Sequence, residues 1–176
     1  DYLIADRLIV PEKMRKYYNE KIIYLPNCYQ PNSNKLLNIN SKKKFTRKNL
    51  GLPEKGIVYC CFNNHYKITP YIFNAWMNIL RKVDKSIIWI YVDKKYAQEN
   101  LKKEATNREI DPDRIKFAKK ENIEDHIERM KLADIFLDTW PYNAHTTASD
   151  AIRVGLPIVT LTVSYTHLTL PTIFRV

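Results

Sequence analysis

Residues 135–161 read IFLDTWPYNAHTTASDAIRVGLPIVTL, and this stretch decides the fold. Ile135, Phe136 and Leu137 form a short apolar run that fits a buried strand. The sequence Asp-Thr-Trp-Pro then breaks the run. HTTASDAIRVG (145–155) has helical character and is closed by Gly155. LPIVTL (156–161) is apolar again. Strand, helix and strand joined by short loops is the repeating unit of a parallel sheet.

The same unit recurs upstream. GIVYCCF (56–62) and SIIWIYVD (86–93) are continuous apolar runs, as expected of strands buried on both faces. DRIKFA (113–118) is a third strand. Between them, TPYIFNAWMNILRKV (69–83) opens with Thr-Pro and spaces Ile72, Trp76, Ile79 and Leu80 as one helical face. KYAQENLKKEATNREI (95–110) and NIEDHIERMKLAD (122–134) are amphipathic helices. Five alternations predict an α/β fold with a Rossmann-like, doubly wound parallel sheet. Ligands of such sheets bind at the carboxyl ends of the strands. The loops NNHYK, AKKEN and TWPYNAHTT are therefore expected to line one cleft. Before residue 46 the chain is less regular. Short strands are expected around DYLIADRLIV and IIY, a helix within PEKMRKYYNEK, a polar linker over 32–50 and a short helix at Thr46 to Leu50.

The composition is that of a globular chain of one domain or one lobe, with 176 residues, 45% apolar and 27% charged. It begins at Asp1, which suggests a fragment or a processed chain. The net charge is +10, from 29 Lys plus Arg against 19 Asp plus Glu. The lysines are scattered, with one cluster, SKKKFTRK (41–48). There is no basic stripe and no aromatic platform of a nucleic-acid binder, so no nucleic-acid partner is expected. Cys28, Cys60 and Cys61 lack metal-ligand spacing and fit reduced, packed thiols, which points to the cytoplasm. No run is long enough to span a bilayer, and no signal peptide is visible.

The chemistry concentrates in NAHTTASD (143–150). The first turn of a helix presents free N–H groups and partial positive charge, so it attracts phosphate. His145, Thr146 and Thr147 add donors there, and Asp150 lies on the same face, where a carboxylate could accept from ribose hydroxyls. The plainer reading is a threonine cap and an ordinary loop histidine. Lys67 follows a buried strand and could neutralise a leaving diphosphate, or it is a solvated surface lysine. Asn64 could bond a sugar or phosphate, or simply make a turn. His126 and Arg129 share a helix face suited to a flat ring, or form an exposed ion-pair face with Glu124, Asp125 and Glu128. Glycine-rich nucleotide loops and a Gly-x-Ser-x-Gly elbow are absent, and no metal cluster is evident.

Taken together, YCCFNNHYKITPYIFNAWMNILRKV and FLDTWPYNAHTTASDAIRVGLPIVTL resemble the catalytic region of O-GlcNAc transferases, including the bacterial and SPINDLY-like members. The resemblance runs over about residues 1 to 161. It implies the C-terminal, donor-binding lobe of a GT-B glycosyltransferase over 46–161, preceded by the end of the N-terminal lobe and a linker over 1–45. It implies transfer of GlcNAc from UDP-GlcNAc to Ser or Thr of protein acceptors, with inversion and without a metal or other cofactor. By the same resemblance, Lys67 contacts the diphosphate and matters for turnover. His145, Thr146 and Thr147 form the diphosphate loop, Asp150 meets the ribose, and His126 and Arg129 sit beside the uracil. Asn64 stands where animal members carry Gln, and Ile123 where a base-contacting Lys would sit. The latter departure leaves base and sugar open. Plant SPINDLY members are implied to use GDP-fucose, and bacterial relatives transfer glucose to Asn. The family's tetratricopeptide repeats and most of its N-terminal lobe, with the histidines discussed for catalysis, would lie upstream. The fragment alone is thus expected to be inactive, and a non-catalytic nucleotide-binding module is the rival reading. After Leu161 the resemblance stops. VSYTHLTLPT (163–172) matches a translated transposase adapter from sequencing libraries, so 162–176 is expected to be an artefactual tail and His167 is given no function.

Overall fold

The structure, a computed structural model, describes residues 1–30 and 41–161. The expected adapter-derived tail and most of the first half of the polar linker lie outside the described residues. The chain divides into two compact units, whose described parts are residues 1–30 and 41–161.

The first unit holds two strands, β1 (Tyr2–Ala5) and β2 (Lys21–Tyr24), paired in parallel with Ala5 opposite Tyr24. The helix expected after Pro11 is a 3-10 helix over Glu12–Tyr17, and Pro11 precedes its first turn. Ala5, Val10 and Ile22 form a small core. Asp6 is buried, but its carboxylate accepts from the backbone N–H groups of Leu8, Ile9 and Tyr29 at 2.9, 2.9 and 2.8 Å. That satisfies a charge that would otherwise be costly to bury.

The second unit carries the five predicted strands. They are β3 (Val58–Cys61), β4 (Ile87–Tyr91), β5 (Ile115–Ala118), β6 (Ile135–Leu137) and β7 (Ile158–Val159). All pairings are parallel and the order is β5-β4-β3-β6-β7. Four helices connect them: α1 (Pro70–Lys82), α2 (Lys95–Thr106), α3 (Ile123–Met130) and α4 (Thr146–Arg153). The chain moves outward from β3 to β5, then α3 carries it back across to β6. The sheet therefore reverses direction between β3 and β6, and loops at the carboxyl ends of those two strands diverge there.

Local chemistry sets the element ends. Thr69 caps α1 by accepting from the Ile72 N–H, and Pro70 occupies the first turn. Asn122 caps α3 by accepting from the Asp125 N–H at 2.8 Å. Predicted α2 ran to Ile110, but the helix stops at Thr106, and Glu109 leaves it with φ of 58°. Only Ile158–Val159 of the expected last strand pairs, with Phe136 and Leu137.

Strand alternation divides the core. Tyr59 and Cys61 of β3 with Ile88 and Ile90 of β4 pack against Phe73, Trp76, Met77 and Leu80 of α1 and Ala105 of α2. Each of the Ile, Leu, Met and Phe side chains among them is worth about 1.5–3 kcal/mol when fully buried. Trp89, of opposite parity in β4, meets Phe62 edge-on at 5.0 Å and lies under the Arg129 guanidinium of α3. The helices thus flank both faces, as the continuous apolar strands require.

Candidate donor site

The reversal point between β3 and β6 is knitted by one carboxylate. Asp138, the residue after β6, is buried. Its Oδ1 accepts from Asn63 Nδ2 (3.0 Å), the Thr139 N–H (2.7 Å) and the Ala144 N–H (2.8 Å). Its Oδ2 accepts from Asn143 Nδ2 (2.9 Å) and Thr160 Oγ1 (2.8 Å). Five donors on one carboxylate fold the loop 139–145 back on itself and aim its far end, the start of α4, at the exit of β3. Asn63 completes the frame. Its Nδ2 also donates to Thr139 Oγ1 at 2.7 Å, and its Oδ1 accepts from the Thr147 hydroxyl.

Lys67 ends a 3-10 turn, His65–Lys67, just beyond Asn63 and Asn64. Its ammonium donates to the Asn143 carbonyl at 3.0 Å and stands 4.2 Å from the Tyr142 ring centroid. Thr69 Oγ1 donates to the Trp140 carbonyl at 3.2 Å, a second tie between the same loops. Lys67 is thus held at the loop before α4 and is not a free surface lysine. Burial holds its pKa below the ordinary lysine range, against the upward pull of the Asp138 carboxylate. His145, at the N-cap of α4, is half-buried and 6.0 Å from Tyr142, ring to ring. Burial first, then the nearby Lys67 charge, lowers its pKa. Thr146 is exposed and Thr147 is half-buried on Asn63. Asp150 is buried one turn into α4, with Arg153 Nη1 at 3.4 Å. Burial raises its pKa, and Arg153 opposes that.

His126 and Arg129 occupy α3, on the side of the sheet where Phe62 and Trp89 lie. The exposed ion-pair face considered from the sequence is not what forms: Arg129 is 2% exposed. Its Nη1 donates to the Lys119 carbonyl at 2.6 Å, and its guanidinium covers Phe62 and Trp89 at 5.6 and 5.7 Å. Its Nη2 and Nε reach His126 Nδ1 at 3.0 and 3.3 Å. A guanidinium can only donate, so Nδ1 is the acceptor and Nε2 carries the imidazole proton. The His126 ring stands edge-on to Phe62 at 5.0 Å. Burial, with the Arg129 charge, lowers its pKa to about 4, so the ring is neutral at pH 7 and offers Nε2–H as a donor. Phe62 adjoins Asn63, which places this pair beside the Lys67 and α4 cluster at the carboxyl edge of the sheet.

The sequence-derived residues therefore converge as two adjoining groups, Lys67 with His145, Thr146 and Thr147, and His126 with Arg129. Asn64 is exposed, and its neighbour Asn63 is the asparagine that enters the network. Asn63, Asp138 and Asn143 were not among the sequence candidates. For Asn63 and Asp138 the signal was position alone, a polar residue just after each of two buried apolar runs, and Asn143 carried none. Among the described residues, no three His, Cys, Asp or Glu side chains group as a metal site, and no helix is long and apolar enough to cross a membrane.

Known proteins resemble this chain in sequence and in fold. The family profile described as Glycosyl transferase family 41 matches residues 39–168. A probable UDP-N-acetylglucosamine–peptide N-acetylglucosaminyltransferase, SEC, of Arabidopsis thaliana is 37% identical over 92% of this chain and 17% of its own length. The UDP-N-acetylglucosamine–peptide N-acetylglucosaminyltransferase of Caenorhabditis elegans is 39% identical over 69% of this chain and 11% of its own. The chain thus spans less than a fifth of the length of either relative. Among solved structures, a mutant of the Thermobaculum terrenum O-GlcNAc transferase superposes with a TM-score of 0.74 at 23% identity, covering 91% of this chain and 30% of that one.

Proposed function

Because the chain belongs to glycosyl transferase family 41, we propose that it is the donor-binding lobe of a GT-B protein O-glycosyltransferase. In this reading the longer enzyme transfers GlcNAc from UDP-GlcNAc to Ser or Thr of protein acceptors. The carrying observation is the convergence of Lys67 and the amino end of α4 at the reversal point of the sheet. The positive end of a helix and an ammonium are what a leaving diphosphate needs.

The family resemblance supports the following chemistry for the longer enzyme. The acceptor hydroxyl attacks the anomeric carbon from the face opposite the diphosphate, so configuration inverts. The bond from that carbon to the diphosphate oxygen breaks, and UDP leaves with the electron pair. Lys67, His145, Thr146 and Thr147 stabilise the growing negative charge, so no metal is needed for that role. Asn64 lies at the sugar-phosphate end. Asp150 accepts from ribose hydroxyls, and His126, through Nε2–H, and Arg129 hold the base end. The group that takes the hydroxyl proton belongs to the N-terminal lobe. Tetratricopeptide repeats upstream would recruit acceptors, and the compartment is the cytoplasm. The three cysteines are free thiols, two of them buried, which fits a reducing environment.

One observation favours a second donor. Ile123, at the first position of α3, is 40% exposed and apolar where a base-contacting lysine was expected. A GDP-sugar, as for O-fucosyl transfer, fits that change. The test is transfer from UDP-GlcNAc, GDP-fucose and UDP-glucose to peptide by a polypeptide carrying this chain at the full length of its relatives. Transfer from UDP-GlcNAc that collapses in Lys67→Ala supports the reading. UDP binding without transfer from any donor would replace it with the non-catalytic module.

A further inference from the structure

The basic cluster 41–48 lies in the stretch expected to be a polar linker, yet its first residues are tied to α3. Ser41 Oγ donates to Asp125 Oδ1 at 2.6 Å. Lys43 Nζ bridges Asp125 Oδ2 at 2.7 Å and Glu121 Oε2 at 2.8 Å. The tie is locally shaped, because Ser41 Oγ also accepts from the Lys43 N–H at 2.9 Å, which curls the segment so that both side chains face α3. We infer that Ser41 and Lys43 are positioning residues that clasp the first turn of α3 and thereby hold His126 and Arg129 at the base end of the donor site. This rests on the donor-site reading above.

Three features give the clasp its reach. First, α3 has only eight residues, too few to be stable by its own hydrogen bonds. Second, the Asp125 side chain is 5% exposed. Lys43 is half exposed, and an ordinary surface pair of that kind is weak. Here, however, loss of Ser41 and Lys43 would leave a buried carboxylate with Asn122, at 3.1 Å, as its one side-chain donor among the described residues. The Lys43 hydrogen bond, and after it that of Ser41, holds the Asp125 pKa below its ordinary value, so the carboxylate is ionised where it is clasped. Third, Asp125 is next to His126, and Arg129 follows one turn on, bonded to His126 Nδ1 and lying over Phe62. A first turn that lifts away displaces both.

The experiment compares the 176-residue chain with its Lys43→Ala, Ser41→Ala and Lys43→Arg variants. Calorimetry measures the affinity for UDP and for inorganic pyrophosphate, and proton NMR follows the His126 ring titration. Both alanine variants are expected to raise the Kd for UDP by about threefold to tenfold, part of one charge-assisted hydrogen bond. Pyrophosphate, which meets only the Lys67 and α4 end, should bind as before. The His126 titration should move up from about 4, as its burial loosens, and Lys43→Arg should restore both. General loss of fold would weaken both ligands equally, and that result overturns the clasp. So does an unchanged UDP affinity with an unchanged His126 titration. A wild-type chain without affinity for UDP defeats the donor-site reading, and the His126 titration then still decides whether α3 is clasped.

Discussion

Asn63 and Asp138 meet across the sheet reversal, with Asn63 Nδ2 donating to Asp138 Oδ1 at 3.0 Å. Residues 75 apart in sequence thereby join the ends of β3 and β6, and the loop carrying His145 hangs from that joint. Asp138→Ala would strand several buried donors. At roughly 1–3 kcal/mol for each unsatisfied group that cannot reach water, a loss of about 3 kcal/mol is expected. For a chain of this size that lowers Tm by roughly 6–12 °C, which calorimetry would read. A shift under a few degrees would show that the network does not carry the loop.

Lys67 should act on phosphate and not on the nucleoside. Lys67→Ala is expected to weaken UDP binding by about tenfold to a hundredfold, the loss of a charge-assisted contact, while uridine binding stays the same. Equal loss of both would assign Lys67 to the fold. In a full-length enzyme the same variant should lower kcat.

His126 sets a pH dependence. Its folded pKa, about 4, is depressed below the ordinary 6.5, so protonation favours the unfolded chain. The stability it contributes is full above pH 6.5 and is lost as pH falls toward 4. The size is on the order of 2–3 kcal/mol, given a ring that is mostly but not wholly buried. Urea unfolding at pH 7.5 and 4.5 should show a smaller acid loss for His126→Gln than for the wild type. An identical loss would mean that His126 does not titrate abnormally.

Gly56 tests the start of the sheet. Its φ is 104°, and a Cβ there would lie 2.1 Å from the Lys85 carbonyl oxygen. Lys85 itself has φ of 56°, so the backbone has no easy retreat. Gly56→Ala should cost more than about 2 kcal/mol, whereas Gly51→Ala, with open space around its Cβ, should cost about 1 kcal/mol, the left-handed penalty alone.

These residues also mark what the sequence could and could not disclose. The strands β3 and β4 were legible because Val58–Cys61 and Ile87–Tyr91 are unbroken apolar runs, separated by α1 with its Thr69 cap. The start of α4 stood out as an anion-binding candidate because the first turn of a helix favours negative charge. Arg129 was not, since an arginine among Glu124, Asp125 and Glu128 looks solvated until Phe62 and Trp89 are seen beneath it. Asn63 and Asn64 are identical in composition, and strand parity alone does not say which turns inward after the last paired residue. The Ser41 and Lys43 clasp joins positions more than 75 apart, and no local pattern encodes such a pairing. LPIVTL is apolar but for Thr160 and so reads as a strand over its whole length, although only Ile158–Val159 finds a partner strand.

In the proposed function, the carboxyl edge of β3 and β6 binds the nucleotide of a sugar donor. The most direct measurement is an NMR titration of the 176-residue chain with UDP. Saturable shifts at Lys67, His126, His145, Thr146 and Thr147, with Ala5 and Val10 of the first unit unmoved, are the expected result. Absence of binding at millimolar UDP, or shifts confined to residues away from these loops, would contradict it.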